Sequence, residues 1–424
     1  MAVSVMLTFH GRDARATRRA TQSGLRRAVA LPGWGGFCYE PLMRILMHER
    51  ADGAAHPGGD LVQLRRWAFW LRRAGHEVLT STDELPELAG VDLVHLNNAS
   101  RAAALLPTAR HCRRHGVPTL LTTLYWPAAD FERRGRPGFA GWCAGRLPDG
   151  LRNRLKSGLR WWRQPCAAHW RELWLGTPRV LRELLAEVSA LAAVCAAEAR
   201  WLRPLTSRPI FQVPSGVDQL FAVGDSDLAR AEQGRPQTGA LDEEPAPERH
   251  GVLCVGRFDP QKGQHRLLAA LAGLEVPVTL VGATNPNYPH YRAWCAASAG
   301  AQVRILPPQP VEELRRLYRS CQVHAQASWY ELSSLSALEA AACGAHVVTT
   351  NAGGMAEYLG EAAWYTAPGD LAGLRSAVLA ALATPPRPTL AERMRRHFTW
   401  EQSTRRLLAV YEQVAGQAAD RRAA

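Results

Sequence analysis

The chain has 424 residues, of which 47% are hydrophobic and 21% charged, and its formal net charge is +13. That length exceeds what one core usually supports and predicts two domains of ordinary globular composition. Nine cysteines stand singly, with no Cys-x-x-Cys pair and no Cys/His cluster at zinc spacing, and no apolar run reaches membrane-spanning length. The pattern argues against a zinc module and a transmembrane bundle, and suits a cytoplasmic protein with reduced, mostly buried thiols.

The charge is uneven. Residues 1–42 carry six arginines against Asp13 and Glu40, and residues 133–171 carry nine arginines and Lys156 against Asp149, so these two pieces hold the whole excess. Such patches suit an acidic lipid surface or an anionic substrate. They contain no nucleic-acid reading motif, so no nucleic-acid partner is expected. Of the 51 basic residues only Lys156 and Lys262 are lysines.

The first 42 residues are polar, basic and without periodicity ("GRDARATRRATQSG"), and lack the apolar core of a secretory signal. They read as a disordered tail or an over-extended start, with the fold beginning at Met43. From there "RILMHE" reads as a strand, "HPGGD" as a glycine-rich turn, "LVQLRRWAFWLRRAG" as an amphipathic helix, and "HEVLTST", "VDLVHLNN" and "VPTLLTTLYW" as further strands, with "RAAALLPTARHCRRHG" a helix between the last two. After an Arg/Trp/Gly-rich insertion over 130–175 the alternation resumes through "VLRELLAEV", "ALAAVCA" and "PIFQVPSGVD". This gives a first domain over 43–208. Residues 223–250 are a polar loop. A second α/β series follows, from "GVLCVGR" to "AAWYTA", giving a domain over 209–385. Residues 386–424 end in the helix "FTWEQSTRRLLAVYEQVAG", expected to pack back toward the first domain. Strands alternating with helices predict two doubly wound parallel sheets, with ligands at the carboxyl ends of the strands and a cleft between the domains.

Two motifs carry chemistry. In "GRFDPQKG", Gly256 and Arg257 leave a strand, and Lys262 and Gly263 open a helix. A glycine allows close backbone approach, the helix N-terminus offers free N–H groups, and the two cations suit a phosphate. Alone, the motif is equally a strand–turn–helix with two surface cations. In "ELSSLSALEAAACG", Glu331 lies on a loop and Glu339 eight residues later inside an Ala-rich helix. Carboxylates there suit sugar hydroxyls, and an unpaired Glu339 in that apolar setting would be costly.

The ordered set formed by these motifs, "VPSGVD", "HPGGDLVQLRRWAFWLRRAGHEV", "DLVHLNN" and the closing helix resembles glycosyltransferase family 4. These are retaining GT-B enzymes with a glycogen-synthase-like C-terminal domain, and the likeness extends over most of residues 43–420. The resemblance implies two Rossmann-like domains facing across a cleft and a hexosyltransferase-type activity. The sugar would pass from a nucleotide-diphosphate donor to a hydroxyl of a glycan, lipid-linked or small-molecule acceptor, with no metal and no cofactor. It implies that Arg257, Lys262 and Gly256 bind the donor diphosphate, helped by backbone N–H groups at Ser333, Ser334 and Leu335. Glu339 would hold the ribose hydroxyls, Glu331 would contact the donor sugar, and Gly58 and Gly59 would shape the site from the first domain. The chain departs from the family where a His is usual and "TTLYWP" stands instead, leaving Tyr125 and Trp126 as candidate sugar or acceptor contacts. It departs again at Ser333-Ser334, where a glycine is usual. A GT-B-fold sugar-nucleotide epimerase and a non-enzymatic membrane or nucleic-acid binder are the alternatives.

The insertion "LRNRLKSGLRWWRQPCAAHWRELWL" sets Leu151, Leu155, Leu159 and Trp162 at helical spacing beside Arg152, Lys156, Arg160 and Arg163. The apolar stripe is expected to pack on the first domain with the arginines in solvent. The alternative is a helix lying on the inner face of an anionic membrane, which would suit a lipid-linked acceptor.

Overall fold

A computed structural model describes residues 43–53, 58–138, 141, 145–163, 167–222 and 248–423. The tail expected over 1–42 and nearly all of the polar loop expected over 223–250 lie outside the described residues. Strands β1 (Arg44–His48), β2 (Glu77–Ser81), β3 (Leu93–Asn97), β4 (Thr119–Thr122), β5 (Ala190–Ala193) and β6 (Ile210–Gln212) form one sheet in the order β2-β1-β3-β4-β5-β6. Strands β7 (His250–Val255), β8 (Val278–Val281), β9 (Val303–Leu306), β10 (Cys321–Ala325), β11 (His346–Thr350) and β12 (Trp364–Thr366) form a second, in the order β12-β11-β10-β7-β8-β9. Every pairing is parallel. The central strands read as continuous apolar runs because helices cover both faces; all of β4, β5 and β11 is buried.

The helix Gly59–Arg73 shows how sequence places an element on its sheet. Leu61, Leu64, Trp67, Ala68 and Leu71 recur at three- and four-residue steps and are buried. They share a core with Ile45, Leu93 and Leu120, and with Trp400, Leu407, Tyr411 and Val414 of the last helix, Trp400–Ala423. That helix therefore completes the first domain although the second precedes it in the chain, and because β6 pairs with β5 the first domain also runs past residue 208, where the second was expected to begin. Its polar anchors are buried: Trp67 Nε1 donates to Ser403 Oγ at 2.8 Å, and His95 bridges Tyr411 and Thr122. Burial pushes the His95 imidazole down to about 3, so it stays neutral inside the core.

β4 ends earlier than the run "VPTLLTTLYW" predicts. Leu124 turns to φ 46°, an unusual conformation for a side chain branched beyond Cβ, and the chain leaves the sheet there. The buried Glu198 carboxylate holds the turn, accepting from Thr123 Oγ1, from Tyr125 N at 2.6 Å and from Val194 N at 2.7 Å.

The insertion forms two helices, Asp149–Arg163 and Ala167–Leu175. Its orientation reverses the expected one. Arg152 and Ser157 are buried and Lys156 is ion-paired with Glu132, whereas Leu151, Leu155 and Trp162 face solvent. The acid at 132 supplies the reason: it is little exposed on a separate turn and holds Lys156 of the helix by an ion pair.

The two domains meet at the carboxyl ends of their strands. Glu357 of the second domain accepts from Ala196 N at 2.7 Å, Ala197 N at 3.0 Å and Gln212 Nε2 at 3.0 Å, capping a first-domain helix N-terminus. Next to it Tyr358 donates to Val194 O at 2.6 Å and accepts from Ser215 N at 3.0 Å. Replacing Glu357 with Ala is expected to cost about 1–2 kcal/mol, as a lost cap does, and to lower Tm by several degrees. An unchanged melting curve would show that this carboxylate does not hold the domains together.

Candidate active site

In a doubly wound sheet the crevice opens at the carboxyl ends of the strands where their order reverses. In the second sheet that point lies between β7 and β10. The loop leaving β7 contains Gly256, Arg257 and Lys262, and the loop leaving β10 contains Glu331, Ser333 and Ser334. The two loops are stitched together. Trp329 N donates to Gln261 O at 2.8 Å, Gln261 Nε2 donates to Tyr330 O at 2.7 Å, and Lys262 Nζ donates to Glu331 Oε1 at 2.7 Å. Gly263 has φ 71°, and a Cβ there would fall 2.3 Å from Ala327 O, so a side chain would force the loops apart. Gly353 plays the same part behind Glu331, whose carbonyl oxygen would lie 2.0 Å from its Cβ.

Beneath the first loop Asp259 is buried and accepts from Gln261 N at 2.9 Å and from Asn285 Nδ2. Its carboxylate lies 3.6 Å from Arg257 Nη2, and Gln264 Nε2 donates to Arg257 O at 3.0 Å. Arg257 thus keeps a half-exposed guanidinium on a fixed backbone. Lys262 gives one of its three donors to Glu331, and its side chain remains 28% exposed against 7% for Glu331. His324, buried under this pair on β10, has no hydrogen-bond partner at either ring nitrogen among the described residues. Burial, with a smaller push from Lys262, takes its imidazole down to about 3, so it adds no charge to the site. Neither His324 nor Asn285 carries a sequence signal; the Asp259-Pro260 turn is the only one in this group.

Glu339 is in other company. It lies in the helix Leu335–Ala342, where Tyr318 Oη donates to Glu339 Oε2 at 3.0 Å. Burial pushes its carboxyl up to about 7, with the Tyr318 bond opposing and the Asp218 carboxylate adding to the rise. Asp218 itself is ion-paired with Arg66 of the first domain.

The backbone donors expected at Ser333, Ser334 and Leu335 divide. Ser334 N is engaged by Met355 Sδ at 3.2 Å, and Ser333 Oγ turns to Ser215 Oγ at 2.8 Å. The first-turn amides of Leu335 and Ser336 have no intrahelical acceptor by construction. Across the cleft, a Cβ on Gly59 would sit 3.8 Å from Leu335 Cδ1, so the two helix N-termini face each other. Gly58 is the extended residue that opens the first-domain helix. Next to it Asp60 accepts from Asn97 Nδ2 at 2.9 Å and Asn98 Nδ2 at 3.0 Å, at the point where the first sheet reverses its order.

At the rim, Tyr125 packs against the first-domain core and Trp126 packs on Tyr330 with ring centroids 5.0 Å apart, and both residues are half-buried. Covering the pair is a short turn, Phe131–Gly135, that reaches over from the first domain. Trp329 Nε1 donates to Asp130 Oδ2 at 3.0 Å, Arg266 lies 4.3 Å over the Trp329 ring, and Arg266 Nη2 donates to Gly135 O at 3.0 Å.

Residues 249–384 match the family model described as Glycosyl transferases group 1. A D-inositol 3-phosphate glycosyltransferase of Geodermatophilus obscurus is 33% identical over 256 residues, 55% of this chain and 54% of that protein. An MMP alpha-(1->4)-mannosyltransferase of Mycolicibacterium hassiacum is 28% identical over 278 residues, 62% of each chain. The chain therefore spans a little over half the length of these curated relatives. Among solved structures, sucrose-phosphate synthase of Thermosynechococcus elongatus has TM-score 0.64 at 18% identity, covering 88% of this chain and 100% of that one. Anabaena HepE in complex with UDP and glucose has TM-score 0.54 at 18% identity, covering 90% and 100%. At these identities the likeness is one of fold, two Rossmann-like domains in the GT-B arrangement. Residues 249–384, which hold Arg257, Lys262, Glu331 and Glu339, are thus the part of this chain that is similar to the group 1 glycosyl transferases.

Proposed function

We propose that the protein is a retaining glycosyltransferase that moves a hexosyl group from a nucleotide-diphosphate sugar to a hydroxyl of a glycan, lipid-linked or small-molecule acceptor, without a metal ion. The observation that carries the reading is the Lys262–Glu331 contact at the β7/β10 reversal, with Arg257 on the same loop and a helix N-terminus on either side of the cleft. Supporting it, Anabaena HepE is a UDP and UDP-glucose complex on the same fold. The relatives' names add inositol phosphate glycosylation and mannosyl transfer. A cytoplasmic setting with peripheral contact at the inner face of a membrane, through residues 151–175, belongs to the same reading.

The chemistry follows from charge. Breaking the bond between the anomeric carbon and the phosphate oxygen leaves positive charge on the sugar and negative charge on the diphosphate. Arg257, Lys262 and the amides of Leu335 and Ser336 would meet the negative charge where it grows, acting mainly in the transition state. The cations would do the work that a metal does elsewhere. Glu331, already holding Lys262, would orient the donor sugar through its hydroxyls. The acceptor hydroxyl would attack from the face that the diphosphate leaves, passing its proton to the departing phosphate oxygen, so no protein nucleophile is required. Glu339 would accept the ribose hydroxyls.

Replacing Glu331 with Ala is expected to abolish transfer, read as product-nucleotide release, while circular dichroism stays unchanged; undiminished turnover would overturn the assignment. Lys262→Ala is expected to weaken UDP binding by about tenfold or more in calorimetry, the size of a lost charge-assisted contact. Equal affinity would remove Lys262 from the diphosphate site. Because burial raises the Glu339 carboxyl to about 7 and its ionised form is the stronger acceptor of hydroxyl bonds, UDP affinity is expected to fall as pH drops below 7. The same fall should be missing in Glu339→Gln.

A further inference from the structure

The helical pair Asp149–Arg163 and Ala167–Leu175 is built inside out for a surface element. Its inward face is polar: Arg152 is 3% exposed, Ser157 1% and Glu172 4%. Its outward face is apolar. Leu151 is 48% exposed, Leu155 57% and Trp162 74%, at steps of four and seven residues that place them on one stripe. Trp161, Trp170 and Trp174 continue that face, with ring centroids 5.5 Å apart from Trp161 to Trp170 and 5.6 Å from Trp170 to Trp174. Six large apolar side chains in one exposed stretch mark an interaction surface.

We infer that this face docks on the headgroup region of an anionic lipid bilayer. Four of the six side chains are tryptophans, whose rings are apolar and whose N–H remains polar, the combination suited to the boundary between water and acyl chains. Arg154 is exposed between Leu151 and Leu155 on the same stripe, and Arg133 and Arg146 are exposed earlier in the segment, a charge complementary to acidic headgroups. The same charge opposes a symmetric dimer, which would stack two such segments face to face.

The docking face is tied to the site. Lys156 and Arg136 both pair with Glu132, and the turn that carries Glu132 packs Phe131 and Gly135 on Trp329, two residues before Glu331. The helical pair is therefore joined, through Glu132 and this turn, to the Trp329 side of the cleft. This deepens the proposed transfer by assigning its acceptor to a lipid-linked class, and rests on that reading for the acceptor alone.

The test is co-sedimentation of the full chain with vesicles of mixed phosphatidylglycerol and phosphatidylcholine, against phosphatidylcholine alone. The protein is expected to partition onto the mixed vesicles, less so at high salt, with a blue shift of tryptophan emission. The double variant Leu155→Ser, Trp162→Ser, and separately Trp174→Ser on the second helix, are expected to lose at least about tenfold in partitioning. Their Tm should not fall, since the replaced side chains are exposed. Failure of the parent protein to bind mixed vesicles, or equal binding by the variants, would overturn the inference. So would a concentration-dependent dimer, or binding to single-stranded RNA, that the same variants abolish. UDP calorimetry on these proteins tests the transfer reading separately: vesicle binding without UDP binding keeps the docking face and removes only that reading.

Discussion

The contact between Lys262 and Glu331 joins two loops that are 69 residues apart in sequence and adjacent only because the second sheet reverses its strand order between β7 and β10. A carboxylate so little exposed needs a counter-charge, and the lysine that supplies it has to reach out of a helix N-terminus. Gly263 lets that N-terminus approach Ala327, Gln261 bonds to the backbone at 329 and 330, and Gly353 leaves room behind Glu331. Each of these is a condition for one short ion pair. The lysine's slim ammonium also fits a place where a planar guanidinium would be bulkier and differently aimed. In a chain with 49 arginines, that gives a physical reason for keeping one of its two lysines here.

The same economy governs the domain boundary. Glu357 and Tyr358 satisfy backbone groups of the first domain, and the last helix completes a core begun some 350 residues earlier. The two crevices are thereby fixed mouth to mouth, with Gly59 next to Leu335. The turn at 131–135 adds a further tie at the rim through Trp329. The cleft between the domains thus brings groups of both together, with the Arg66–Asp218 pair acting electrostatically on Glu339.

Much of this was legible in the residues. Alternating Val/Leu-rich strands and amphipathic helices were enough to anticipate two parallel doubly wound sheets, because a strand buried on both faces and a helix with one apolar stripe have different periods. Glu331, Lys262 and Arg257 stood out through their place in an ordered set of motifs, because "GRFDPQKG" alone fits an ordinary strand–turn–helix with two surface cations equally well. What was not legible involved partners far away in the chain. Tyr318 as the donor to Glu339, Glu198 under the Leu124 turn and the His324 ring beneath Lys262 leave no local pattern. The engaged amide of Ser334 and the packing of Trp126 on Tyr330 also depend on elements brought in by the fold.

The tryptophan-rich helices make the division plain. The sequence by itself determined that residues 151–163 are a helix with one apolar and one basic stripe, because helical periodicity is a local property. It could not determine which stripe faces inward. That was decided by Glu132, a little-exposed carboxylate on a separate turn that pairs with Lys156 and leaves Leu151, Leu155 and Trp162 outside. Periodicity is written along the chain, whereas the direction of a face depends on the charge and volume of what lies under it, and only the tertiary structure assembles those.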